Sequence, residues 1–423
     1  MGTAQDMNGR TPAAVAAVLD AGWMARAARG VSALLNGALG HRLSRHLPGA
    51  LTGRLHRLAA RVPPRTTVHG SGAPGRQYLL VGHDLSLSGA PQLLLEIARL
   101  LVADGRAVTL MTPEDGPLRT PLVEAGATVI VDPLLLRRPE RLLSVLAGSV
   151  DGALCNSVVT AAAVTALAPR TPVIWYVHEV SVLQDRMAAD PALGAAFALP
   201  ARLWAGSELS AALLRPMRDD VEVVPYGLDP IAAAQPIASP SQRLLRLASL
   251  ATIEPRKGQD LLVAAVAMLA PAVRAAIHVD LYGRMTHPEF GADVCAAAAG
   301  LPVTIPGSLD RDGYRAAVLA CDAVVVPSRD DTLPLVSLDA LGVGRVLICT
   351  STTGTAAYLE NGVSGFVASE PTAAAIATAL KEALARREDW PAIAAAGRAV
   401  FARHFSKDVF AARLRDTIAA LAS

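Results

Sequence analysis

Residues 322–348 decide the fold and read DAVVVPSRDDTLPLVSLDALGVGRVLI. Four consecutive apolar residues at 323–326 predict a short buried strand. A polar turn follows, and the apolar segment after it predicts a helix whose first turn contains Pro334, where the missing N–H of proline costs nothing. Residues 346–349 predict the next strand. This order of strand, turn, helix and strand is typical of a parallel sheet with helices on both faces.

The same alternation of short apolar strands with helical stretches extends in both directions from this segment. A first series of strands is predicted at 78–81, 108–111, 128–131, 173–177, 203–205 and 221–224. A second series is predicted at 247–250, 277–282, 303–305, 323–326, 346–349 and 366–367. Helices are expected at 90–101, 117–124 and 408–421. The sequence therefore predicts two doubly wound, Rossmann-like α/β domains that face a central cleft.

The predicted domains divide the chain into four segments. Residues 1–75 form a helical N-terminal extension with a linker, and residues 76–230 form the first Rossmann-like domain. Residues 242–405 form the second domain, and residues 406–423 form a last helix. Three prolines and the lack of a strong period predict the connection between the two domains at 229–241.

Composition excludes several classes of protein. Of the 423 residues, 52% are hydrophobic and 18% are charged, which excludes a disordered polyelectrolyte. No apolar run approaches the ~20 residues of a membrane-spanning helix, and we expect no signal peptide at the start. The four cysteines are far apart in sequence, so they predict small buried side chains in a reducing cytosol rather than a metal or redox site.

The N-terminal 76 residues are strongly basic. They contain ten arginines and two acidic residues, so their charge is 10 − 2 = +8. Residues 12–60 have a helical pattern, and their second half carries arginine and histidine on one side and leucine on the other. This pattern fits either a helical pair docked on the main body or a surface for anionic membranes. We therefore expect a cytoplasmic protein that could lie at the inner face of a membrane.

The turn before the helix at 335 contains the first group of candidate site residues. The amides of Leu335 and Val336 begin a helix, where free N–H groups and the helix dipole attract anions. Asp331 precedes the helix and Asp339 lies within it, where their carboxylates could accept hydrogen bonds from sugar hydroxyls. The alternatives are a helix cap for Asp331 and a solvated helix residue for Asp339.

Three further segments follow predicted strands. Arg256 and Lys257 are adjacent and suit a diphosphate, with a solvated loop as the alternative. Gly89 would let a backbone pass close to a ligand at a helix start, but alone this signal is weak and an ordinary turn is the simpler explanation. His178 ends the strand WYV and either faces the cleft or is a satisfied buried histidine.

The triplet Asp310-Arg311-Asp312 matches a metal-binding DxD only superficially, since Asp312 fits the cap of a helix starting at Gly313. The sequence has no Ser-His-Asp order, no HExxH and no basic–aromatic stripe for nucleic acid. We therefore expect neither a metal nor a nucleic-acid partner.

Taken together and in order, these segments resemble the retaining glycosyltransferases of family 4 (group 1), which have the GT-B fold. The segments that carry the resemblance are HDLSLSGAP, GPLRTPLVEAGATV, WYVHE, VVPYGLD, EPRKGQD, LYG, DAVVVPSRDDTLPLVSLDALGVGRVLI and ENGVSGFV. The family's E-x7-E pattern appears here as Asp331-x7-Asp339, with both side chains one methylene shorter.

The resemblance implies a nucleotide-sugar donor, held mainly by the second domain, and an acceptor held mainly by the first. Asp331 would contact the donor sugar, Asp339 the ribose, and Lys257 the leaving diphosphate, while His178 would line the sugar site. The implied catalytic residues are His178, Asp331 and Lys257. The implied donor-binding residues are Gly89, Arg256, Lys257, Asp331, Thr332, Leu333, Pro334, Leu335, Val336 and Asp339.

The function implied by the resemblance is transfer of a sugar from a UDP- or GDP-sugar to a polysaccharide or glycolipid, with retention at the anomeric carbon. The implied mechanism is a front-face one that needs no metal and no cofactor, and the last helix would cross back onto the first domain. Two alternatives stay open: a donor-binding or scaffold subunit with weakened catalysis, and a nucleotide-sugar epimerase of the same architecture.

Overall fold

The computed structural model describes residues 66–70, 75–233 and 244–422. The predicted helices of the N-terminal extension and most of the connection at 229–241 lie outside the described residues. Where the structure describes the chain, short strands alternate with helices as the sequence predicts.

Fourteen strands are present in the described part of the chain. They are β1 (Thr67–His69), β2 (Gln77–Val81), β3 (Ala107–Thr112), β4 (Thr128–Val131), β5 (Gly152–Asn156), β6 (Val173–Val177), β7 (Ala201–Ala205), β8 (Glu222–Val223), β9 (Leu245–Leu250), β10 (Ile277–Tyr282), β11 (Val303–Gly307), β12 (Ala323–Val326), β13 (Val346–Thr350) and β14 (Phe366–Ala368).

The α-helices of the same part are α1 (Gly89–Ala103), α2 (Arg119–Glu124), α3 (Leu143–Leu146), α4 (Ala161–Leu167), α5 (Ser181–Ala189), α6 (Pro191–Phe197), α7 (Glu208–Leu214), α8 (Gln259–Ala267), α9 (Pro271–Arg274), α10 (Pro288–Ala298), α11 (Arg311–Ala320), α12 (Leu335–Val343), α13 (Ala373–Ala385), α14 (Trp390–His404) and α15 (Lys407–Ala422). Short 3-10 helices at Pro255–Lys257 and Gly354–Tyr358 contribute to the site described below.

Two sheets organise these elements, which confirms the predicted pair of Rossmann-like α/β sheets. The first has the strand order β1-β4-β3-β2-β5-β6-β7-β8 and the second has the order β11-β10-β9-β12-β13-β14. All pairings within the second sheet are parallel. In the first sheet β1 runs antiparallel to β4, whereas β2, β3, β4 and β5 pair in parallel.

Aliphatic side chains cover both faces of the second sheet. Leu262 of α8 and Ile376 of α13 belong to the apolar cluster on one face. Leu338 of α12 and Phe401 of α14 belong to the cluster on the other. Strands buried on both faces need no alternation of apolar and polar residues, which explains the continuous apolar run of β12.

Contact density divides the chain into two compact units. One extends to Cys155 and includes Val159–Val173, and the other comprises Asn156–Val158 and the chain from Ile174 onward. His178, Lys257, Asp331 and Asp339 lie in the second unit, whereas Gly89 lies in the first. The predicted domain boundaries stay predictions.

Four local predictions differ from the structure. Strand β1 lies in the segment expected to be a linker, and no strand was expected at β5, whose five residues GALCN are all buried. Pro334 lies directly before the first helical residue of α12 rather than within its first turn. Asp310 rather than Asp312 caps α11, because its carboxylate accepts a hydrogen bond from the Gly313 amide at 2.8 Å.

The last helix, α15, contacts strands of the first sheet. The Phe410 ring stacks on Tyr176 of β6, with 6.5 Å between the ring centroids. Arg413 forms an ion pair with Glu222 of β8 at 2.8 Å. Among the helices that the structure describes, none is long and apolar enough to cross a membrane.

Candidate active site

The turn between β12 and α12, residues 327–334, is the centre of the candidate site. Asp331 is only 8% exposed, and its carboxylate contacts the ammonium group of Lys257. A guanidinium nitrogen of Arg256 lies 3.9 Å from the other oxygen of the same carboxylate. The structure therefore brings together the predicted pair of cations and the predicted sugar-binding acid.

Backbone geometry explains how Arg256 and Lys257 reach this turn. Both lie in the 3-10 helix Pro255–Lys257, which ends at Gly258 with a positive φ of 69°. A β-carbon at Gly258 would overlap with the Pro327 carbonyl oxygen, so only glycine permits this approach. The Arg329 amide then donates to the Arg256 carbonyl at 2.8 Å. These contacts hold the two turns side by side.

A second loop packs against the same turn from the other side. The Asp331 amide donates to the Thr352 carbonyl at 3.0 Å, and the Gly354 amide donates to the Asp331 carbonyl at 2.8 Å. A β-carbon at Gly354 would overlap with the Thr332 carbonyl oxygen. The turn is therefore enclosed by backbone on two sides and can move little without breaking these bonds.

The start of α12 offers polar groups of the kind that bind phosphate. Leu335 and Val336 are the first two helical residues, whose amides have no acceptor within the helix. The hydroxyl oxygens of Ser337 and Thr355 are fully buried and have no hydrogen-bond partner among the described residues. Buried polar groups are normally satisfied, so these two hydroxyls are exceptions in the interior of this part of the protein.

Asp339 lies farther along α12 and is paired with a tyrosine. The Tyr314 hydroxyl donates a 2.6 Å hydrogen bond to the Asp339 carboxylate, which is 6% exposed. Burial raises the pKa of Asp339 to about 6, against the lowering effect of the Tyr314 hydrogen bond. Burial and the negative charge of Asp339 raise the pKa of Tyr314 well above its usual value, so its hydroxyl stays a donor at neutral pH.

His178 lies at the end of β6 and contacts the same turn. The Thr332 hydroxyl donates to the His178 backbone carbonyl, and the side-chain amide oxygen Oδ1 of Asn156 lies 2.6 Å from ring nitrogen Nε2 of His178. The Tyr226 ring lies 6.1 Å from the His178 ring. Burial first, and then the charges of Asp331 and Asp339, raise the pKa of Tyr226 well above its usual value. Tyr226 is therefore a neutral hydroxyl beside the predicted site residues.

The remaining predicted residues occupy less informative positions. Leu333 is a buried apolar residue of the turn, and Pro334 precedes the helix. Gly89 is the exposed first residue of α1. Because Gly89 belongs to the other compact unit, its approach to the donor stays a prediction.

Sequence reasoning missed Asn156, Tyr314 and Glu179 and gave Tyr226 no role of its own. Asn156 and His178 are 22 positions apart, and Tyr314 and Asp339 are 25 positions apart, so no short motif joins either pair. The signal for Tyr226 was present in VVPYGLD, where a lone tyrosine follows a strand. Within the described ranges, no group of three or more His, Cys, Asp and Glu side chains could hold a metal ion.

Comparison with known families shows the family to which the chain belongs. Residues 242–386 match the family described as glycosyl transferases group 1, and residues 74–189 match glycosyl-transferase family 4. The chain belongs to the family 4 (group 1) glycosyltransferases. The two matched ranges include all ten predicted donor-binding residues and His178.

Two curated relatives and several solved structures are similar to this glycosyltransferase. D-inositol 3-phosphate glycosyltransferases of Stackebrandtia nassauensis and Geodermatophilus obscurus are 30% and 34% identical over 38% and 32% of this chain. The matches span only 40% and 32% of the relatives' own lengths.

The solved structures have the GT-B fold over most of the chain. Anabaena HepE, solved with UDP and glucose, covers 82% of this chain and 100% of its own, with a TM-score of 0.68 and 17% identity. Sucrose-phosphate synthase from Thermosynechococcus elongatus has the same TM-score and identity. It covers 82% of this chain and 99% of its own. At this identity the likeness shows the fold alone.

Proposed function

We propose that this protein transfers a sugar from a nucleotide-sugar donor to a polysaccharide or glycolipid acceptor, with retention at the anomeric carbon. The observation that carries the proposal is the convergence of Lys257, Arg256 and the start of α12 on the turn that contains Asp331.

Charge development in the reaction explains this arrangement. Breaking the bond between a sugar and a diphosphate places negative charge on the diphosphate and positive charge on the anomeric carbon. Lys257, Arg256 and the amides of Leu335 and Val336 would stabilise the leaving group. One such preorganised donor contributes ~3–4 kcal/mol in other enzymes. This supply of positive charge from the protein supports a mechanism that needs no metal.

The retaining step would proceed on the front face of the sugar. The leaving phosphate itself would take the proton of the acceptor hydroxyl, so no protein nucleophile is needed. Asp331 and His178 would hold the sugar, and Asp339 would hold the ribose. Asp331 is already paired with Lys257, so this ion pair would orient both groups before the donor binds.

For the donor we favour UDP-sugars over GDP-sugars. HepE, whose fold this chain shares, has been solved with UDP, with UDP and glucose, and with UDP-glucose. For the acceptor we favour a glycolipid or polysaccharide, because the structural neighbour WaaG takes part in lipopolysaccharide biosynthesis. The basic N-terminal extension would bring the protein to such an acceptor at an anionic membrane.

The test of donor binding is a thermal-shift titration of the full chain with UDP, GDP, ADP and their glucose conjugates. Saturation at ~100 times the dissociation constant adds ~2.7 kcal/mol of apparent stability. We expect a shift with UDP that is lost in Lys257→Ala and kept in Lys381→Ala, whose lysine is exposed on α13. Turnover is then measured as donor hydrolysis, and the anomeric configuration of the first product is read by NMR.

The other outcomes are equally informative. Nucleotide binding without hydrolysis or transfer to any acceptor would favour the scaffold alternative, and an epimer formed from donor alone would favour the epimerase. No shift with any nucleotide would contradict the proposal. Membrane association is tested separately by flotation with vesicles containing 30 mol% phosphatidylglycerol. Equal binding of the full chain and a chain starting at Gly75 would exclude a role for the extension.

A further inference from the structure

An ion pair with two hydrogen bonds joins the β12–α12 turn to the start of α8. The guanidinium group of Arg329 donates from Nη1 to Oδ1 of Asp260 at 2.8 Å and from Nη2 to Oδ2 at 2.6 Å. Two parallel bonds between planar groups fix the orientation of one group relative to the other as well as the distance. The two residues are 69 positions apart, so this pair connects two loops that follow different strands, β9 and β12.

The same guanidinium group also contacts the beginning of the first of these loops. Nη1 of Arg329 donates to the carbonyl of Pro255, where the 3-10 helix begins, and Asp260 lies in the first turn of α8. Arg256 and Lys257 lie between these two points. One side chain of the β12–α12 turn therefore holds both ends of the segment that contains the two cations of the candidate site.

A backbone hydrogen bond between the two loops complements these side-chain bonds. The Arg329 amide donates to the Arg256 carbonyl at 2.8 Å. A single hydrogen bond fixes a distance but leaves the angle between two loops adjustable. The side-chain bonds of Arg329 to Pro255 and Asp260 add points of attachment on either side of it, and together they fix the angle.

Lys257 depends on this angle because it bridges the same two loops. Its ammonium group contacts the Asp331 carboxylate. Lys257 lies three positions before Asp260, and Asp331 lies two positions after Arg329, so the two ion pairs are neighbouring connections. A tilt of one loop would displace the ammonium group relative to the turn. At a closely oriented site a displacement of ~1 Å can lower the rate about 10²-fold.

Net charge cannot replace this orientation. Residues 254–260 and 327–334 contain three cations and four acids, so their formal charge is 3 − 4 = −1. The cations are Arg256, Lys257 and Arg329, and the acids are Glu254, Asp260, Asp330 and Asp331. A diphosphate is therefore not attracted by the summed charge of the two loops, and its binding depends on where the individual cations point.

We propose that Arg329 and Asp260 are positioning residues that hold Lys257 in the orientation required at the diphosphate site. The inference rests on the proposed function, in which Lys257 stabilises the leaving diphosphate. Neither positioning residue touches the donor. The guanidinium group of Arg329 is occupied by Asp260 and Pro255, and the Asp260 carboxylate would repel a phosphate.

The first experiment observes Lys257 directly and needs no activity. The protein has three lysines, Lys257, Lys381 and Lys407, so protein labelled with ¹³C at the lysine ε-carbon gives three ¹H–¹³C signals, assigned with Lys257→Ala. We expect the Lys257 signal to lie apart from that of the exposed Lys381 and to move toward it in Asp260→Asn and Arg329→Gln. A Lys257 signal that already coincides with Lys381, or that stays unchanged in both variants, would overturn the inference, whatever the donor proves to be.

The second experiment is a double-mutant cycle in the donor reaction. Asp260→Asn and Arg329→Gln should each lower kcat for the UDP-sugar about tenfold, and the double variant should lose no more, because both changes break the same pair. By charge alone, Asp260→Asn would strengthen UDP binding, since it removes an acid. Stronger UDP binding in this variant, or losses that multiply to about 100-fold, would contradict the positioning role. Absence of UDP binding by the unmodified protein would instead count against the proposed function.

Arg329→Lys separates orientation from charge. The lysine keeps the positive charge but has no planar group to form both bonds with Asp260. We expect it to lose activity about as strongly as Arg329→Gln. Full activity in Arg329→Lys would show that only the charge is needed and would contradict the inference.

Asp220→Asn is the matched control. Asp220 accepts two hydrogen bonds from Arg218, whose guanidinium group also donates to the carbonyl of Ala201 at the amino end of β7, away from the candidate site. We expect this control to leave kcat and the Lys257 signal unchanged. Because both carboxylates are partly exposed, their pairs contribute little to stability, and Asp260→Asn and Asp220→Asn should melt within about 2 °C of each other. A kcat loss in Asp260→Asn that follows a large fall in melting temperature would show a structural role and contradict the inference.

Discussion

Two turns with the same place in their sheets differ in how they are held. The β2–α1 turn, residues 82–88, and the β12–α12 turn both leave a buried strand and enter a helix. In the first, Leu87 is 63% exposed, and the Ser86 amide and hydroxyl bond to Asp84 and Ser88 of the same turn. In the second, Asp331 is buried and bonds to Lys257 and to the Thr352 carbonyl.

The difference shows which part of the candidate site is built before any ligand arrives. The β12–α12 turn is held by bonds to residues far away in sequence, so its groups keep their positions. The β2–α1 turn is fastened in its first half, where Gly82 and Leu85 bond to Met111 and Leu118. Its second half, residues 86–88, is held by bonds to neighbours in sequence among the described residues and can adjust at smaller cost. We therefore expect substitutions in the first region to have large effects on catalysis and those in the second to have small ones.

The largest effect is expected from Lys257→Ala. The change would remove an ammonium group from the proposed diphosphate site, and it leaves the Asp331 carboxylate without its closest cation. We expect kcat/KM for the donor to fall by about 10²–10³, as for loss of one preorganised donor in other enzymes. Steady-state kinetics measure this loss, with Lys381→Ala as the matched control. A loss below about fivefold would show that the turn is not the diphosphate site.

Gly354→Ala tests whether the backbone contact around the turn is needed. The new methyl group would overlap with the Thr332 carbonyl, so the loop or the turn must move. We expect a loss of about 2–4 kcal/mol in the free energy of unfolding, together with weaker UDP binding. Gly194→Ala is the control, because nothing lies within 4 Å of its β-carbon position. Equal stability of the two variants in chemical denaturation would refute the tight packing described here.

Asp339 predicts a pH dependence of donor binding. Its pKa is raised to about 6, so it is a carboxylate above that pH and neutral below it. Because ribose hydroxyls donate more strongly to the charged form, UDP affinity should fall as the pH drops through 6. Tyr314→Phe removes a bond that lowers this pKa, so the midpoint should move to higher pH, and Asp339→Asn should flatten the profile. Calorimetric titration with UDP from pH 5 to 8 measures this dependence. A UDP affinity with no midpoint in this range would contradict the prediction.

The Asp339 carboxyl group affects protein stability in the opposite direction. Its folded pKa lies above the value of about 3.9 for a free aspartate, so folding favours the protonated form. The stability it contributes is fully present below pH ~3.9 and is lost as the pH rises through 6. We therefore expect UDP affinity to fall below pH 6 while the contribution of Asp339 to the free energy of unfolding does not fall. This result would show that the loss of binding is not caused by unfolding.

The smallest effect is expected from Gly89→Ala in the β2–α1 turn. Gly89 is exposed at the start of α1, where alanine is tolerated, and the extra methyl group would affect only a close approach of phosphate. We expect UDP affinity to fall by about three- to fivefold, the effect of one weakened hydrogen bond, with unchanged thermal stability. A loss as large as that of Lys257→Ala would remove the distinction between the two turns.

Several elements were predictable because their signals are local. Strands β4, β6, β10 and β12 were predicted with the bounds that the structure has. Strands β4, β6 and β12 are short, mostly apolar runs, and β10 alternates apolar and polar residues. Strand β1 was missed because it is a three-residue strand whose partner among the described residues, β4, lies about 60 positions along the chain. A pairing of that kind depends on the sheet rather than on the sequence of the strand.

The alternation of strands and helices, the two sheets and the polar turns can be read from the amino-acid pattern, because they depend on side chains within a few positions of one another. Which of the polar residues meet depends on the fold. Asp331 with Lys257, Tyr314 with Asp339, and Asn156 with His178 are each separated by 22 to 74 positions. Such contacts form where the carboxyl ends of strands converge, and the charge, burial and hydrogen bonding of each group are set there.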